Sequence, residues 1–158
     1  MQKRVFAMVS CLALLSLSSF GASNKGERSN AGPPPDRAYL QKIWDGWGKL
    51  DANRQGQFFA SGDHTFFDVA PLKYNSWQEY EAGVAKELAD YKSATFTLND
   101  DVQIHPAGAY VWATATVKED ATLKTGKREL ATFRWTVVLE NQEGKWLIVH
   151  EHVSEPVQ

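Results

Sequence analysis

Asp68 is a carboxylate in an apolar stretch of the chain, a position that could serve proton transfer. It lies within residues 65–71, where burial would raise the pKa of its carboxyl group and suit it to act as a general base on an acidic C–H bond. An aspartate shortly before Pro71 can equally stabilise a turn through its side chain. The residue pattern leaves both roles open.

Arg134 and Glu151 form a second candidate pair, which the predicted hairpins would bring together. Two-residue loops at 125–126 and 143–144 would set Thr136 opposite Glu151. Because side chains alternate along a strand, both charges would then share one sheet face with small and β-branched residues. A covered face rarely carries charges unless they are paired or meet a ligand. The pair is therefore either the anchor of a ligand site or a structural ion pair, and a longer loop would change the assignment.

The same register sets Ala113 opposite Val138 and makes the second sheet face more aromatic than the first. A large apolar face that no helix covers calls for a partner, so we expect a homodimer through it. The residues predicted for this second face are Trp112, Thr114, Thr116, Trp135, Val137, Leu139, Trp146, Ile148, His150 and His152.

His150 and His152 would lie on one side of the same strand, which is the arrangement of half a metal site. No third ligand is spaced near them, and two interface or hydrogen-bonded histidines are the commoner use of this pattern. We predict neither a metal nor another cofactor.

The spacing of the apolar residues changes along the chain, and it predicts the helices and strands that would position these side chains. Apolar residues first recur at helical spacing, with Trp44 and Trp47 on one face, and from residue 94 onward they alternate with period two. Helices followed by antiparallel strands predict an α+β domain with the helices on one side of the sheet. The expected elements are a helix from Asp36 to Leu50, a short helix around 58–59, a strand at 64–69, a helix from Ser76 to about Tyr91, and main strands at 109–117, 129–139 and 145–153.

The N-terminus has the pattern of a signal peptide. Lys3 and Arg4 precede an apolar run at 5–17, which is too short to span a bilayer, and small residues follow. We predict a cleaved signal peptide at 1–23, a flexible linker at 24–35 and one domain at 36–158. The mature protein would be exported, periplasmic or secreted, with no membrane attachment. It would also lack cysteine, because Cys11 is the only one in the chain.

Composition narrows the function classes. The chain has 158 residues, of which 43% are hydrophobic and 23% charged, as is typical of one globular domain. A formal net charge of −2 without a basic stripe argues against nucleic-acid binding. Aromatic residues make up 12% of the chain, enough to wall a ligand cavity.

Several segments together resemble the SnoaL-like branch of the nuclear transport factor 2-like superfamily. They are 58–60, 64–71, 77–83, Arg134 with Thr136, and 144–154, and the similarity extends over about 36–156. The closing stretch 146–154 also resembles the last strand of the association domain of calcium/calmodulin-dependent protein kinase II. The resemblance implies a cone-shaped, curved antiparallel sheet wrapped around about three helices, with a pocket at the wide end. Homodimers are usual in this superfamily.

The resemblance also implies roles for single residues. Asp68 matches the general base of ketosteroid isomerases and polyketide cyclases. Trp44 or Trp47 takes the place of their tyrosine and could donate one indole N–H, and Arg134 is the nearest substitute for their second acid. Tyr74 is a candidate donor at the pocket rim.

Three functions are consistent with these residues. The favoured one is an exported small-molecule-binding domain, with Arg134 and Glu151 as polar anchors in an aromatic-walled pocket. The alternative is a ketosteroid isomerase-like or polyketide cyclase-like enzyme that uses Asp68 as its base. An assembly module with a vestigial cavity is the third. The first is preferred because the oxyanion partners of the known enzymes are not reproduced.

Overall fold

The computed structural model of the protein describes residues 32–157. The predicted signal peptide at 1–23 therefore lies outside the described residues, as does most of the predicted linker. The part of the linker that is described contacts the domain. Pro35 is buried, and the carbonyl of Pro33 accepts a hydrogen bond of 3.0 Å from the indole N–H of Trp146.

Two α-helices begin where the sequence predicts them. Helix α1 spans Arg37–Trp47, and the Asp36 side chain caps it by accepting a hydrogen bond from the backbone N–H of Tyr39 at 2.8 Å. Helix α2 spans Trp77–Leu88. Ser76 Oγ accepts a hydrogen bond from the N–H of Glu79 at 3.2 Å, and the Glu79 carboxylate accepts one in return from the N–H of Asn75 at 2.8 Å. The first of these bonds is the predicted one, whereas the Glu79 side chain binds the N–H of Asn75 instead of that of Ser76; together the two bonds fix the start of α2.

The segment between the helices departs from the prediction. A 3₁₀ helix spans Ala52–Gln57, before the two phenylalanines that were expected to form a helix. Phe59 instead forms a parallel β-bridge with Ile148, and its ring stacks on Trp77 at 4.3 Å. Packing of this aromatic residue against the core thus decides the local backbone. The predicted strand at 64–69 is reduced to two residues.

The six strands form one curved sheet with the order β1-β6-β5-β4-β2, in which β3 also pairs with β4. All neighbours are antiparallel except β1 and β6, which are parallel. This is the expected α+β fold with a curved sheet and a few helices. The strands are β1 (Phe66–Phe67), β2 (Tyr91–Leu98), β3 (Gln103–Ala107), β4 (Tyr110–Leu123), β5 (Arg128–Gln142) and β6 (Lys145–Ser154).

The register of the first long hairpin differs from the predicted one by a single residue. Thr122 pairs with Arg128, so the loop is longer than two residues, and Gly126 takes a φ of +88° in it. A longer loop with a glycine in the left-handed region is a common hairpin connection. Ala113 therefore lies opposite Val137 and not Val138. Since one residue of shift exchanges the faces, every side chain of β5 points to the side opposite to that predicted.

The second hairpin has the predicted two-residue loop but then shifts. Glu143 and Gly144 have φ values of 54° and 86°, as in the turns that best match strand twist. The register shifts between Val138 and Leu139, so that Val149 is an extra residue in β6 and Glu151 lies opposite Val137. Because of this bulge, Glu151 lies on the inner face of the sheet. Arg134 does not, because the register of the first hairpin places it on the opposite side.

The inner face of the sheet packs against both helices and forms the core. Five residues predicted for the second face are buried on this inner side instead: Trp135, Val137, Leu139, Trp146 and Ile148. We call the opposite side the outer face; its residues are Trp112, Thr114, Thr116, Arg134, Thr136, Val138, His150 and His152. Within residues 32–157, no helix is both long and apolar enough to cross a membrane.

Candidate functional site

A cavity of about 100 Å³ lies between the two helices and the inner face of the sheet. Half of its lining residues are aromatic, as the sequence predicts for the pocket. The residues that line this cavity are Trp44, Trp47, Asp68, Tyr80, Val84, Glu87, Leu88, Tyr91, Phe96, Glu119, Phe133 and Val153.

The cavity continues outward into a wider space, which we call the vestibule, of about 500 Å³. Glu87, Tyr91, Glu119 and Phe133 border both spaces. Typical ligand pockets measure roughly 300–1,000 Å³, so the cavity with its vestibule is large enough for a small molecule. The other residues of the vestibule are Val69, Lys127, Arg128, Glu129, Leu130, Ala131 and Glu155.

Trp44 and Trp47 lie three residues apart on α1 and both face the cavity, where the sequence places them in a pocket wall. Trp44 packs against Phe96 and Trp135, each at a ring distance of 5.4 Å. It is 6% exposed, and its indole N–H has no hydrogen-bond partner among the described residues. A buried donor without a partner is costly, so this N–H is available to an acceptor on a ligand.

Asp68 follows β1 and also lines the cavity. One carboxylate oxygen, Oδ1, accepts a hydrogen bond from the backbone N–H of Val69 at 2.7 Å. Burial raises the pKa of Asp68, and the contacts with Val69 and the Tyr80 hydroxyl offset part of that rise. The same side chain thus stabilises the local turn and faces the cavity, and its role as a general base stays a prediction.

Glu151 lies beneath the cavity on β6 and is 1% exposed. Its Oε2 accepts a hydrogen bond of 2.9 Å from the indole N–H of Trp135, whereas its Oε1 has no partner of good geometry. Burial raises the pKa of Glu151 to about 7, against the opposing effect of Trp135 and Tyr80. The carboxyl group is therefore half protonated near neutral pH and can act as a donor or as an acceptor.

Tyr80 connects these two carboxyl groups. Its hydroxyl is close enough to Asp68 and Glu151 to shift the pKa of both, although neither contact has the geometry of a full hydrogen bond. Burial and the two carboxyl groups raise the pKa of Tyr80 itself well above its ordinary value. The hydroxyl consequently stays protonated and remains a donor in the cavity wall.

Arg134 and Tyr74 lie elsewhere than expected. The predicted shared face for Arg134 and Glu151 is wrong, because the longer first hairpin loop turns Arg134 to the outer face, where it is exposed. Tyr74 is buried behind Tyr80 at a ring distance of 5.0 Å, and its hydroxyl donates to the carbonyl of Ala70 at 3.2 Å. It thus supports the cavity wall from behind and does not line the cavity.

Tyr80, Glu87 and Glu119 line the cavity but were not among the predicted site residues. The signal for Glu119 was present in the sequence, since it continues the alternation of buried residues Val111, Ala113, Ala115 and Val117. Tyr80 likewise belongs to the apolar stripe of α2. In both residues, a polar group within an otherwise apolar row of inward-facing side chains could have indicated a place in the cavity.

The two histidines of β6 lie on the outer face, away from the cavity. Nδ1 of His150 is 2.7 Å from the carbonyl oxygen of Thr65, and the ring of Phe67 packs between His150 and His152 at 5.6 Å from each. Residues 32–157 contain no group of three side chains placed to hold a metal ion. Both histidines thus pack against Phe67, and His150 is also hydrogen-bonded.

Comparison with known proteins gives a consistent family and fold. A family model described as a SnoaL-like domain matches residues 41–158. No curated protein sequence matches the chain significantly.

Among solved structures, the chain is similar to a nuclear transport factor 2-like superfamily protein from Salmonella enterica, with a TM-score of 0.66, 19% identity, and coverage of 77% of this chain and 91% of the other. It is also similar to a Xanthomonas campestris protein whose name proposes a calcium/calmodulin dependent protein kinase II association domain, with a TM-score of 0.65, 19% identity, and coverage of 81% and 94%. For the hexachlorocyclohexane dehydrochlorinase LinA-type3 from Novosphingobium barchaimii, the TM-score is 0.63, the identity 13%, and the coverage 77% and 86%. At these identities the similarity establishes a shared fold and no shared activity.

Proposed function

Because the chain belongs to the SnoaL-like domain family of the nuclear transport factor 2-like superfamily, we propose that it is an exported protein that binds a small molecule in its aromatic cavity. The observation that carries this proposal is the cavity itself, which combines aromatic walls with polar groups that lack partners. Trp44 offers an unpaired N–H, and Glu119 offers a carboxyl group that is 6% exposed. A few convergent polar groups in an apolar pocket are the usual features of a ligand site.

Three probes of matched shape test binding: 2-phenylethylamine, 2-phenylethanol and phenylacetate, each titrated at millimolar concentration. Trp44 and Trp47 line the cavity, so a bound probe should change tryptophan emission saturably. Val84→Phe should abolish that change by filling the cavity, whereas Val138→Phe on the outer face should leave it intact. The proposal fails if none of the three probes binds, or if Val84→Phe, shown to be folded by circular dichroism, binds as well as the wild type.

Export is supported by the basic, apolar and small-residue pattern of residues 1–23. The full chain expressed in a Gram-negative host should appear in the periplasm or medium, with a new N-terminus near residue 24. Leu14→Arg, which interrupts the apolar run, should keep the protein uncleaved in the cytoplasm. Retention of the wild-type chain with an intact N-terminus would contradict export.

The second candidate is an enzyme in which Asp68 removes a proton. A carboxylate with a raised pKa that faces an aromatic cavity, next to the protonated hydroxyl of Tyr80, supports this chemistry. A generic probe is 5-nitrobenzisoxazole, which loses its C–H proton to a base while its N–O bond breaks, giving a coloured cyanophenolate.

If Asp68 is such a base, Asp68→Asn should lower the rate by about 100-fold, as expected for loss of one general base. Asp63→Asn, a change at an exposed residue nearby, should have no effect. Equal rates for wild type and Asp68→Asn would remove the enzyme candidate and leave the binding proposal unaffected.

Two copies of the chain, in this proposal, associate through the outer face of the sheet. Trp112 and Tyr110 are 43% and 45% exposed, which is unusual for such large aromatic side chains. A symmetric contact between two copies would remove them from water.

A further inference from the structure

The charged residues that line the cavity all have the same sign. Asp68, Glu87 and Glu119 are carboxylic acids, and none of the twelve lining residues is a lysine, arginine or histidine. Glu151 adds a fourth carboxyl group beneath them, and the negative charge of Asp68 contributes to the raised pKa of Glu151. An anionic ligand would meet repulsion here from every side.

Glu119 is the most informative of these groups. It is 6% exposed, and within the described residues no cation lies at ion-pair distance from it and no side chain hydrogen-bonds to it. Its neighbours Glu129 and Glu155 are acids too, and with burial they raise the pKa of Glu119 to about 7. Partial burial without a neighbouring cation makes the ionised form of Glu119 costly, and a cationic guest would relieve that cost.

The basic residues near the entrance are already engaged. Lys127 contacts Glu129 at 2.8 Å, and Arg128 contacts Asp120 at 2.6 Å. Both lie in the vestibule and not in the cavity. Within residues 32–157, the inner carboxyl groups therefore have no protein cation to neutralise them.

The aromatic walls complete the chemistry. Trp44, Trp47, Tyr80 and Phe96 surround the carboxyl groups, and the faces of aromatic rings attract cations. We propose that the ligand of this cavity carries an ammonium group, held by Glu119 and Asp68 against the aromatic walls. This inference rests on the proposed function and names the ligand class of the same site.

Size and the remaining donor define the rest of the ligand. A cavity of about 100 Å³ takes a compact ammonium head, so any larger part must lie in the vestibule. There Val69 and Leu130 are 50% and 66% exposed and offer an apolar surface. The free N–H of Trp44 favours a head that also carries an oxygen acceptor.

Proton linkage gives this proposal a distinct signature. A cation favours the ionised carboxylates, so its binding releases protons and tightens as the pH rises through 7. A neutral guest that accepts hydrogen bonds favours the protonated forms and binds tighter as the pH falls. Other titratable groups lie near these carboxyl groups and would share in the proton linkage. Those near Asp68 are Tyr80, Glu87, Glu151 and, behind them, Tyr74. Those near Glu119 are Tyr91, Glu129 and Glu155.

The experiment is calorimetric titration of the three probes at pH 6 and pH 8. At pH 8, 2-phenylethylamine should bind at least about tenfold tighter than 2-phenylethanol, a difference of about 1.4 kcal/mol. Phenylacetate should be the weakest of the three. The amine should lose affinity severalfold at pH 6 and should release protons on binding.

Variants identify the groups responsible. Glu119→Gln should weaken amine binding about tenfold while leaving 2-phenylethanol unchanged, and Glu87→Gln at the rim should act in the same direction with a smaller effect. Glu140→Gln removes a negative charge on the outer side and should change the binding of neither the amine nor the alcohol.

If the alcohol or phenylacetate binds in the cavity as tightly as the amine, the ammonium assignment is overturned while small-molecule binding stands. If no probe binds, the proposed function itself fails.

Discussion

At the scale of single residues, Glu151 determines how the stability of the domain should depend on pH. Burial raises its pKa to about 7, so the folded chain holds a proton that the unfolded chain releases between about pH 4.5 and 7. The contribution of Glu151 to the free energy of unfolding should therefore be largest at low pH and should fall as the pH rises through this window. Glu87 and Glu119, whose pKa values are also raised to about 7, add to the same trend.

Glu151→Gln should remove the part of this pH dependence that Glu151 contributes. Glutamine keeps an acceptor for the indole N–H of Trp135 but never ionises. At pH 8 the variant should exceed the wild type in free energy of unfolding by up to about 3 kcal/mol, and at pH 4.5 the two should be similar. Urea unfolding at several pH values measures this. An unchanged pH profile, or a loss of stability at pH 8 larger than in the control Glu140→Gln, would contradict it.

The residues of the candidate site also show which side chains a sequence can place. Trp44 and Trp47 were placed correctly because helical spacing is a local property of α1. Arg134 was placed on the wrong face because its direction depends on the length of a hairpin loop several residues away. Glu119 was overlooked although it lies in a clear alternation of inward residues.

At the scale of elements, Gly83 should reverse the usual effect of glycine replacement in a helix. An alanine inside a helix normally stabilises by about 1 kcal/mol relative to glycine. A Cβ at position 83 would instead overlap the ring of Tyr74, which packs directly over α2. Gly83→Ala should therefore destabilise the domain by about 1–3 kcal/mol, as overpacking does.

A double-mutant cycle separates the clash from helix propensity. In a Tyr74→Ala background the overlap is absent, so Gly83→Ala should become neutral or stabilising. Thermal or urea unfolding of the four proteins gives the coupling energy. Equal destabilisation by Gly83→Ala in both backgrounds would show that Tyr74 is not the cause.

The elements themselves were largely predictable, and their connections were not. The N-cap at Asp36 and the cap at Ser76 can each be recognised from a window of four residues. The structure contains both hydrogen bonds, from Tyr39 N–H to Asp36 and from Glu79 N–H to Ser76. The bulge at Val149 has no such local signature. The bulge lets two paired strands bend around the core. Whether they must bend depends on how distant segments pack together, which a short stretch of sequence does not show.

At the scale of the whole molecule, the aromatic content predicted a walled pocket, but not the sign of its charge. Arg134 was expected to lie in the pocket as a cationic anchor, whereas the register leaves carboxyl groups as the only charged groups among the lining residues of the cavity. One loop residue thus changes the class of ligand that the domain should select. The same change makes the outer face more polar than predicted, with Arg134 and Thr136 on it.

The outer face should nevertheless form the contact between two copies of the chain. Trp112 on β4 is 43% exposed and stacks on His105 of the neighbouring strand β3 at a ring distance of 3.9 Å, which presents an aromatic surface to a partner. Light scattering coupled to size exclusion at micromolar concentration should give the mass of a dimer.

Trp112→Glu should give a monomer, because two buried carboxylates would face each other across a two-fold contact. Leu72→Glu, at an 88% exposed position in the loop after β1, should remain dimeric. A monomeric wild-type protein would contradict the outer-face contact and would leave the binding proposal for the cavity unaffected.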